Sequence, residues 1–388
     1  MKIADKQFVK FMSRFDNCPF EMELNGEKYE IGYGEPHFSV IFHHMPDIKD
    51  MVTSTSIALG EAYMDGELEI KGNLYEALNS FLGQIDKFST DHKKLKALLF
   101  SSRGKKNQRA EVSSHYDIGN DFYSMWLDDS LSYSCGYFES EKDTLHDAQY
   151  NKVDRILKKL NLREGMSLCD IGCGWGFLLI QAAKKYKVCG TGITLSEEQK
   201  KKFEERIKEE KLEDYLDVML LDYRDLPDTG LKFDRVVSVG MVEHVGRGNY
   251  EEFMGCVKSV INKGGLFLLH YISALKEYPG DAWVKKYIFP GGVIPSLREI
   301  MHIAGDMRFY TLDVESLRRH YSRTLLCWNE NFQKHKDEVR KMFDERFVRM
   351  WEMYLCACAA SFRNGVVDVH QILFSSDVNN EVPMNRWY

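Results

Sequence analysis

The chain has 388 residues, 44% of them hydrophobic and 29% charged, which predicts a globular, core-forming protein and, at this length, two domains. Its net charge of -7 excludes a general attraction to nucleic acid or anionic lipid, so any basic surface has to be local. No run approaches the roughly eighteen uninterrupted apolar residues of a membrane-spanning helix. The Met1–Lys10 segment has no apolar signal-peptide core, and the nine scattered cysteines read as reduced thiols of a cytosolic protein.

In chain order, residues 1–90 read as a small mixed domain. Met22–Ile31 has a glycine-centred turn between alternating segments, the pattern of a hairpin. A helical stretch follows at Leu59–Met64, a strand at Gly66–Ile70 and helical spacing again at Leu74–Leu82. Residues 91–111 form a basic linker, with Lys93, Lys94, Lys96, Arg103, Lys105, Lys106 and Arg109 around the apolar Leu98-Leu99-Phe100. It reads either as a solvated linker helix or as an element that touches anionic headgroups. Residues 112–388 form the third segment.

From about residue 165 strands and helices alternate, which is the signature of an open α/β sheet. The strand candidates are Ser167–Ile171, Val188–Thr194, Asp217–Leu221, Phe233–Val239 and Gly265–Tyr271, with Arg308–Val314 and Val366–Phe374 completing the sheet. Gly176–Lys185 reads as a helix, and Glu330–Phe362 as one long helix.

The first of these strands ends in Asp170-Ile171-Gly172-Cys173-Gly174-Trp175-Gly176. Glycines there permit a tight turn and a close approach of ligand to backbone, at the carboxyl edge where open α/β sheets bind ligands. A dinucleotide site would space the last glycine one residue later and carry an acid about 20 residues on. Here the second strand runs out in Thr191–Ser196, with no acid before Glu197. A smaller ligand, an adenosine with an amino-acid tail, fits better.

Several ordered segments together resemble the cyclopropane-fatty-acid synthase family. They are Ser114–Tyr123 (SHYDIGNDFY), Tyr133–Tyr137, the glycine turn, Gly192–Ser196, Asp222–Asp225, Val239–Gly246, Phe267–His270, Lys286–Gly292 and Ala357–Ala359, with Gly60–Gly66 in the front domain. The resemblance spans nearly the whole chain. It implies an S-adenosylmethionine-dependent methyltransferase fold, a Rossmann-like α/β domain with a seven-stranded sheet and an antiparallel last hairpin, behind a smaller N-terminal α+β domain. It implies transfer of a methyl group to the cis double bond of an unsaturated acyl chain, in the bacterial synthases one already built into a membrane phospholipid. Relatives act on mycolic acid precursors or on amines, and many form homodimers.

Carried over by position, the resemblance puts Tyr133 and Ser134 at the cofactor's methionine end, and Gly172 and Gly174 beneath it within the turn from Asp170 to Gly176. Thr194 and Gln199 would hold the ribose, and Asp222 and Tyr223 would flank the adenine. Tyr223 has a second reading as simple packing.

The chemistry is demanding. An alkene is a weak nucleophile, methyl transfer to it leaves a carbocation, and ring closure then needs one proton removed where water is excluded. In the family the base is commonly a bound bicarbonate, and its cage maps onto Cys135, Glu243, His270, the backbone of Ile272 and Tyr321. Hydroxyl, imidazole and backbone N–H groups can donate to an anion. Glu243 would instead accept from the O–H of bicarbonate.

Each of these has a plainer reading. Glu243 also reads as a surface partner of His244, His270 as a core histidine, and Cys135 and Cys358 as buried filling. Cys358 is placed in the wall of the acyl pocket, and no covalent step is assigned to it. Neither Cys169/Cys173 nor Cys356/Cys358 has the spacing of a zinc site. Trp283–Phe289 and Met125–Leu127 are candidates for the acyl channel. The expected protein is thus a cytoplasmic enzyme, peripheral on the inner face of a membrane and without a nucleic-acid partner. Two rivals are an amine or small-molecule methyltransferase and a lipid-binding protein without catalysis.

Overall fold

The computed structural model describes residues 3–99 and 119–388. The expectations placed on Arg103, Lys105, Lys106, Arg109 and Ser114–Ile118 lie outside the described residues. Two compact units share the chain: Met1–Phe100 with Pro279–Pro290 and Ser322–Val366, and Ser101–Tyr278 with Gly291–Tyr321 and Val367–Tyr388. The sequence-drawn boundaries leave 279–290 and 322–366 in the later domain, whereas in the structure both segments pack with residues 1–100.

The first unit holds a four-stranded sheet in the order β2-β1-β3-β4. β1 (Phe20–Leu24) and β2 (Glu27–Ile31) are the expected hairpin. Asn25 and Gly26 both turn at positive φ, 53° and 82°, the two-residue geometry that right-twisted strands favour. β3 (Ser39–Phe42) runs parallel to β1, and β4 (Leu68–Lys71) pairs antiparallel with β3. Helices Thr55–Met64 and Leu74–Leu82 start where Ser54 and Asn73 accept from backbone N–H groups.

The single helix expected over Glu330–Phe362 is corrected to three. Arg318–Lys334, Lys336–Met342 and Glu345–Arg363 are separate. The physical reason for the break before Glu345 is Asp344. Its carboxylate accepts from Phe347 N at 2.7 Å and caps a new helix instead of continuing the old one.

The second unit is a seven-stranded sheet in the order β10-β11-β9-β8-β5-β6-β7. Its strands are β5 (Ser167–Ile171), β6 (Cys189–Thr194), β7 (Leu216–Leu220), β8 (Phe233–Val239), β9 (Ile261–Ser273), β10 (Phe309–Ser316) and β11 (Asp368–Ser376). β5 to β9 are parallel, and β11 lies antiparallel between β9 and β10. Near-continuous apolar strands such as Phe267-Leu268-Leu269 are buried on both faces beneath flanking helices. The strand order reverses between β5 and β8, so the fold opens a crevice beyond the carboxyl ends of these strands.

Candidate active site

The glycine turn builds one edge of that crevice. Gly172, Gly174 and Gly176 all stand at positive φ, and Gly172 N and Cys173 N both donate to Ile193 O, at 2.9 and 3.0 Å. A Cβ at Gly176 would lie 2.0 Å from the Phe203 ring, so this glycine serves packing and does not line the crevice. A Cβ at Gly172 would press on Met241 at 2.8 Å. One at Gly174 would meet nothing within 4 Å, because Gly174 faces open space.

That space is an open cleft, also lined by Tyr133, Ser134, Asp170, Thr194, Gln199 and Tyr223. Thr194 Oγ1 donates to Gln199 Oε1 at 2.8 Å, which fixes two polar groups at the end of β6. Asp222 is not in the lining. Its carboxylate grips Arg224 at 2.8 and 2.6 Å, and the cleft wall is made by Tyr223 and Arg224. The buried Tyr223 hydroxyl has no hydrogen-bond partner.

Two polar groups that hold the Ser132–Ser134 wall of the cleft escaped the sequence reading. Lys152 is buried, and its ammonium donates to Ser134 Oγ at 2.9 Å. Burial lowers its pKa to about 8, against the pull of Asp128, Cys135 and Asp170. Gln149 holds the same loop through Ser132 O and Ser134 O. The signal was there to find: both side chains fall on the buried stripe of helix Leu145–Lys159, where apolar residues are expected. Asp170 also lines the cleft, with Oδ1 buried and unpaired and its carboxyl raised by burial to about 7. Burial also lowers His244, another unpredicted lining residue, to about 4.

The five cage residues all belong to the second unit. Ile272 N donates to Glu243 Oε1 at 2.6 Å, which joins the end of β9 to the turn after β8. Glu243 Oε2 is buried without a partner, and burial raises the carboxyl to about 7. His270 lies two residues before Ile272, and burial lowers it to about 3, so the ring is neutral. The Gln371 amide nitrogen, a donor, lies 3.2 Å from His270 Nδ1, which leaves the imidazole proton on Nε2. Cys135 Sγ and Tyr321 N both reach the carbonyl of Leu317, at 3.8 and 3.1 Å. The Ile272 N–H is thus already held by Glu243, which differs from the direct contact to an anion that the sequence suggested.

Cys358 belongs to the first unit, where it lines a separate apolar cavity together with Trp283. Trp126 and Leu127 are buried, with Trp126 edge-on to Tyr133 at 5.2 Å. Among the described residues no cysteine joins a group of three possible metal ligands, and no helix is long and apolar enough to cross a membrane.

The pattern of the mycolic acid cyclopropane synthetase family matches residues 103–372, and a domain of unknown function matches residues 7–93. A probable fatty acid methyltransferase from Pseudomonas putida is 35% identical, covering 95% of this chain and 96% of its own. The cyclopropane-fatty-acyl-phospholipid synthase of Escherichia coli K12 is 38% identical, over 88% of this chain and 89% of its own. Among solved structures, the cyclopropane synthase MmaA2 of Mycobacterium tuberculosis aligns with a TM-score of 0.66. It is 33% identical and covers 69% of this chain and 98% of its own. The mycolic acid cyclopropane synthase CmaA1, solved with SAH and CTAB, aligns with a TM-score of 0.65 at 33% identity, over 69% of this chain and 98% of its own.

Proposed function

The chain belongs to the mycolic acid cyclopropane synthetase family, and we propose that it builds cyclopropane rings on the acyl chains of membrane phospholipids. It is an S-adenosylmethionine-dependent methyltransferase of the cyclopropane synthases, which act on unsaturated lipids. The observation that carries the finer reading is the buried, unpartnered Oε2 of Glu243, whose other oxygen is bonded to Ile272 N on the strand that carries the neutral His270.

The cleft fits S-adenosylmethionine. Gly174 leaves room for it, and the orphaned Oδ1 of Asp170 offers an acceptor to its cationic end. Bound there, S-adenosylmethionine supplies a methyl group activated by its sulfonium. Tyr133 and Ser134 would hold the methionine end, with Lys152 fixing the Ser134 hydroxyl. Gly172 would lie beneath the ligand, the Thr194–Gln199 pair would take the ribose, and Tyr223 would stack on the adenine. Asp222 would act through Arg224, and Gly176 through the packing of the turn.

Cys135, Glu243, His270, Ile272 and Tyr321 would hold the base, a bicarbonate. The donor set fits: His270 Nε2–H and the Tyr321 hydroxyl can donate to an anion, while Glu243 Oε2 can accept its O–H. Ile272 then acts by orienting Glu243. In the reaction the alkene's π electrons would form the new C–C bond to the methyl carbon as the methyl–sulfur bond breaks, its electron pair staying on sulfur and leaving S-adenosylhomocysteine. One proton leaves that methyl for the base, and the C–H pair closes the ring onto the cationic carbon. The buried walls of the site would keep water from trapping the cation as an alcohol.

Replacing Glu243 by Gln tests this reading. Ring formation on unsaturated phospholipid vesicles should fall, with S-adenosylmethionine binding unchanged. Undiminished ring formation would remove Glu243 from the chemistry. The peripheral site of action, on the inner face of a membrane, rests on the lipid substrate class and on the basic residues near position 93.

A further inference from the structure

Lys152 is a buried charge without a counter-ion. It is 3% exposed and lines the cleft beyond β5. Its ammonium donates to Ser134 Oγ at 2.9 Å, and among the described residues no carboxylate pairs with it. Asp128, Cys135 and Asp170 act on it only through space. Lys159, two turns further along the same helix, shows the ordinary arrangement: it is equally buried, and Asp313 and Glu315 meet it at 3.3 and 2.6 Å. A buried ammonium is costly unless an anion reaches it, so the bare state of Lys152 points to an anionic ligand.

The other basic groups in the lining are spoken for. Arg224 is gripped by both oxygens of Asp222, and burial keeps His244 neutral. Ser134 sharpens the chemistry. Its hydroxyl oxygen accepts from Lys152, so its own proton is left for a second acceptor. An ammonium and a hydroxyl side by side suit the two oxygens of one carboxylate, and such charge-assisted bonds are the strong ones. The pair is also held in place, because Gln149 clamps the carbonyls of Ser132 and Ser134 at 3.3 and 3.0 Å. Asp170 lines the same cleft with its Oδ1 buried and unpartnered, and it forms no ion pair with Lys152. One buried cation and one buried acid that do not neutralise each other match the two ends of an α-amino acid.

We propose that Lys152, with the Ser134 hydroxyl it holds, recognises the carboxylate of the cofactor's amino-acid tail and so selects ligands that carry one. The proposal rests on the placement of S-adenosylmethionine in this cleft argued above. It gives Lys152 a direct contact with the ligand in addition to its hold on Ser134. The charge is then the specificity determinant: a neutral side chain of the same length would keep the wall of the cleft and lose the preference for the carboxylate.

The test is calorimetric titration of the full-length chain with two ligands, S-adenosylhomocysteine and its decarboxylated analogue, which keeps the amine. The parent chain should bind the first tighter by about tenfold or more, the worth of a hydrogen bond between charged groups. In Lys152→Met and in Lys152→Gln, which keeps a neutral donor for Ser134, that preference should shrink to about twofold or less, with the decarboxylated analogue bound as before. Equal affinity of the parent chain for the two ligands would overturn the proposal without any variant. So would a preference that survives in both variants, or an equal weakening of both ligands, which is what a purely structural lysine gives. Loss of bicarbonate dependence with the preference intact would assign Lys152 to the anionic base and equally overturn it. Gly174→Ala separates the two readings. If it weakens neither ligand, the placement of the cofactor in this cleft fails. If it weakens both while the Lys152 variants keep the preference, the placement stands and the role of Lys152 falls.

Discussion

Glu243 carries the two sharpest expectations at the scale of single residues. A positioned base or its proton partner contributes about 10²- to 10⁴-fold to a proton transfer. Glu243→Gln should therefore lower ring formation by about 10²-fold or more, while equilibrium dialysis with S-adenosylmethionine shows unchanged affinity. Stability gives an independent check. Burial raises the Glu243 carboxyl from 4.5 to about 7, so the folded chain keeps a proton that the unfolded chain has lost. That contribution is complete below pH 4.5 and is lost as the pH rises towards 7. His270 works the other way. Its pKa falls from 6.5 to about 3, so its contribution is present above 6.5 and is lost as the pH falls. Melting curves should show the Glu243→Gln variant gaining on the parent between pH 4.5 and about 7. A difference that stays flat with pH would show that Glu243 is ionised throughout.

At the scale of elements, the turn after β5 separates packing from binding within a few residues. Gly176→Ala meets the Phe203 ring and also a φ of 82°, so it should cost about 2–3 kcal/mol in denaturant unfolding. Gly174→Ala meets no neighbour, and its left-handed backbone costs only about 1–2 kcal/mol. Its methyl enters the cleft, so weakened S-adenosylmethionine binding should dominate. Helix Leu145–Lys159 offers a further test. Lys159 is fully buried against Asp313 at 3.3 Å and Glu315 at 2.6 Å, which fastens the helix to β10. Lys159→Met should cost about 2 kcal/mol, because it removes two charge-assisted hydrogen bonds while Glu315 keeps Arg155 and Asp313 keeps Arg386.

Strands such as β5, β8 and the centre of β9 were legible because they are short apolar runs bounded by turn residues. The glycine turn was legible from its three closely spaced glycines at the end of β5. β3 was missed: four residues without alternation, paired in parallel to a strand fifteen residues earlier, carry no local signal. Lys152 was missed because a lysine is ordinarily read as solvated, and only its place on the buried stripe marked it. The capping role of Asp344 was equally hidden, since an aspartate between Phe343 and Glu345 reads as helix surface until its side chain is seen on Phe347 N. For Cys135, Glu243, His270, Ile272 and Tyr321, no spacing in the sequence brought them together. A resemblance nominated them, and the structure supplies the Glu243–Ile272 bond.

At the scale of the whole molecule, the net charge of -7 opposes anionic membranes, so attraction has to come from a local patch. Lys93, Lys94 and Lys96 are exposed, and each basic residue near a charged bilayer is worth about 1 kcal/mol. Replacing the three by glutamine should weaken co-sedimentation with anionic vesicles at low salt and leave S-adenosylmethionine binding intact. The most direct measurement gives the purified chain methyl-labelled S-adenosylmethionine and vesicles of a phospholipid with cis-unsaturated acyl chains, followed by gas chromatography and mass spectrometry of the released fatty acids. The expected result is label in a saturated ring, each converted chain gaining one CH₂, with a marked loss of product when carbon dioxide and bicarbonate are removed. Label in the headgroup amine, or no transfer to the acyl chain, would contradict ring formation on the lipid.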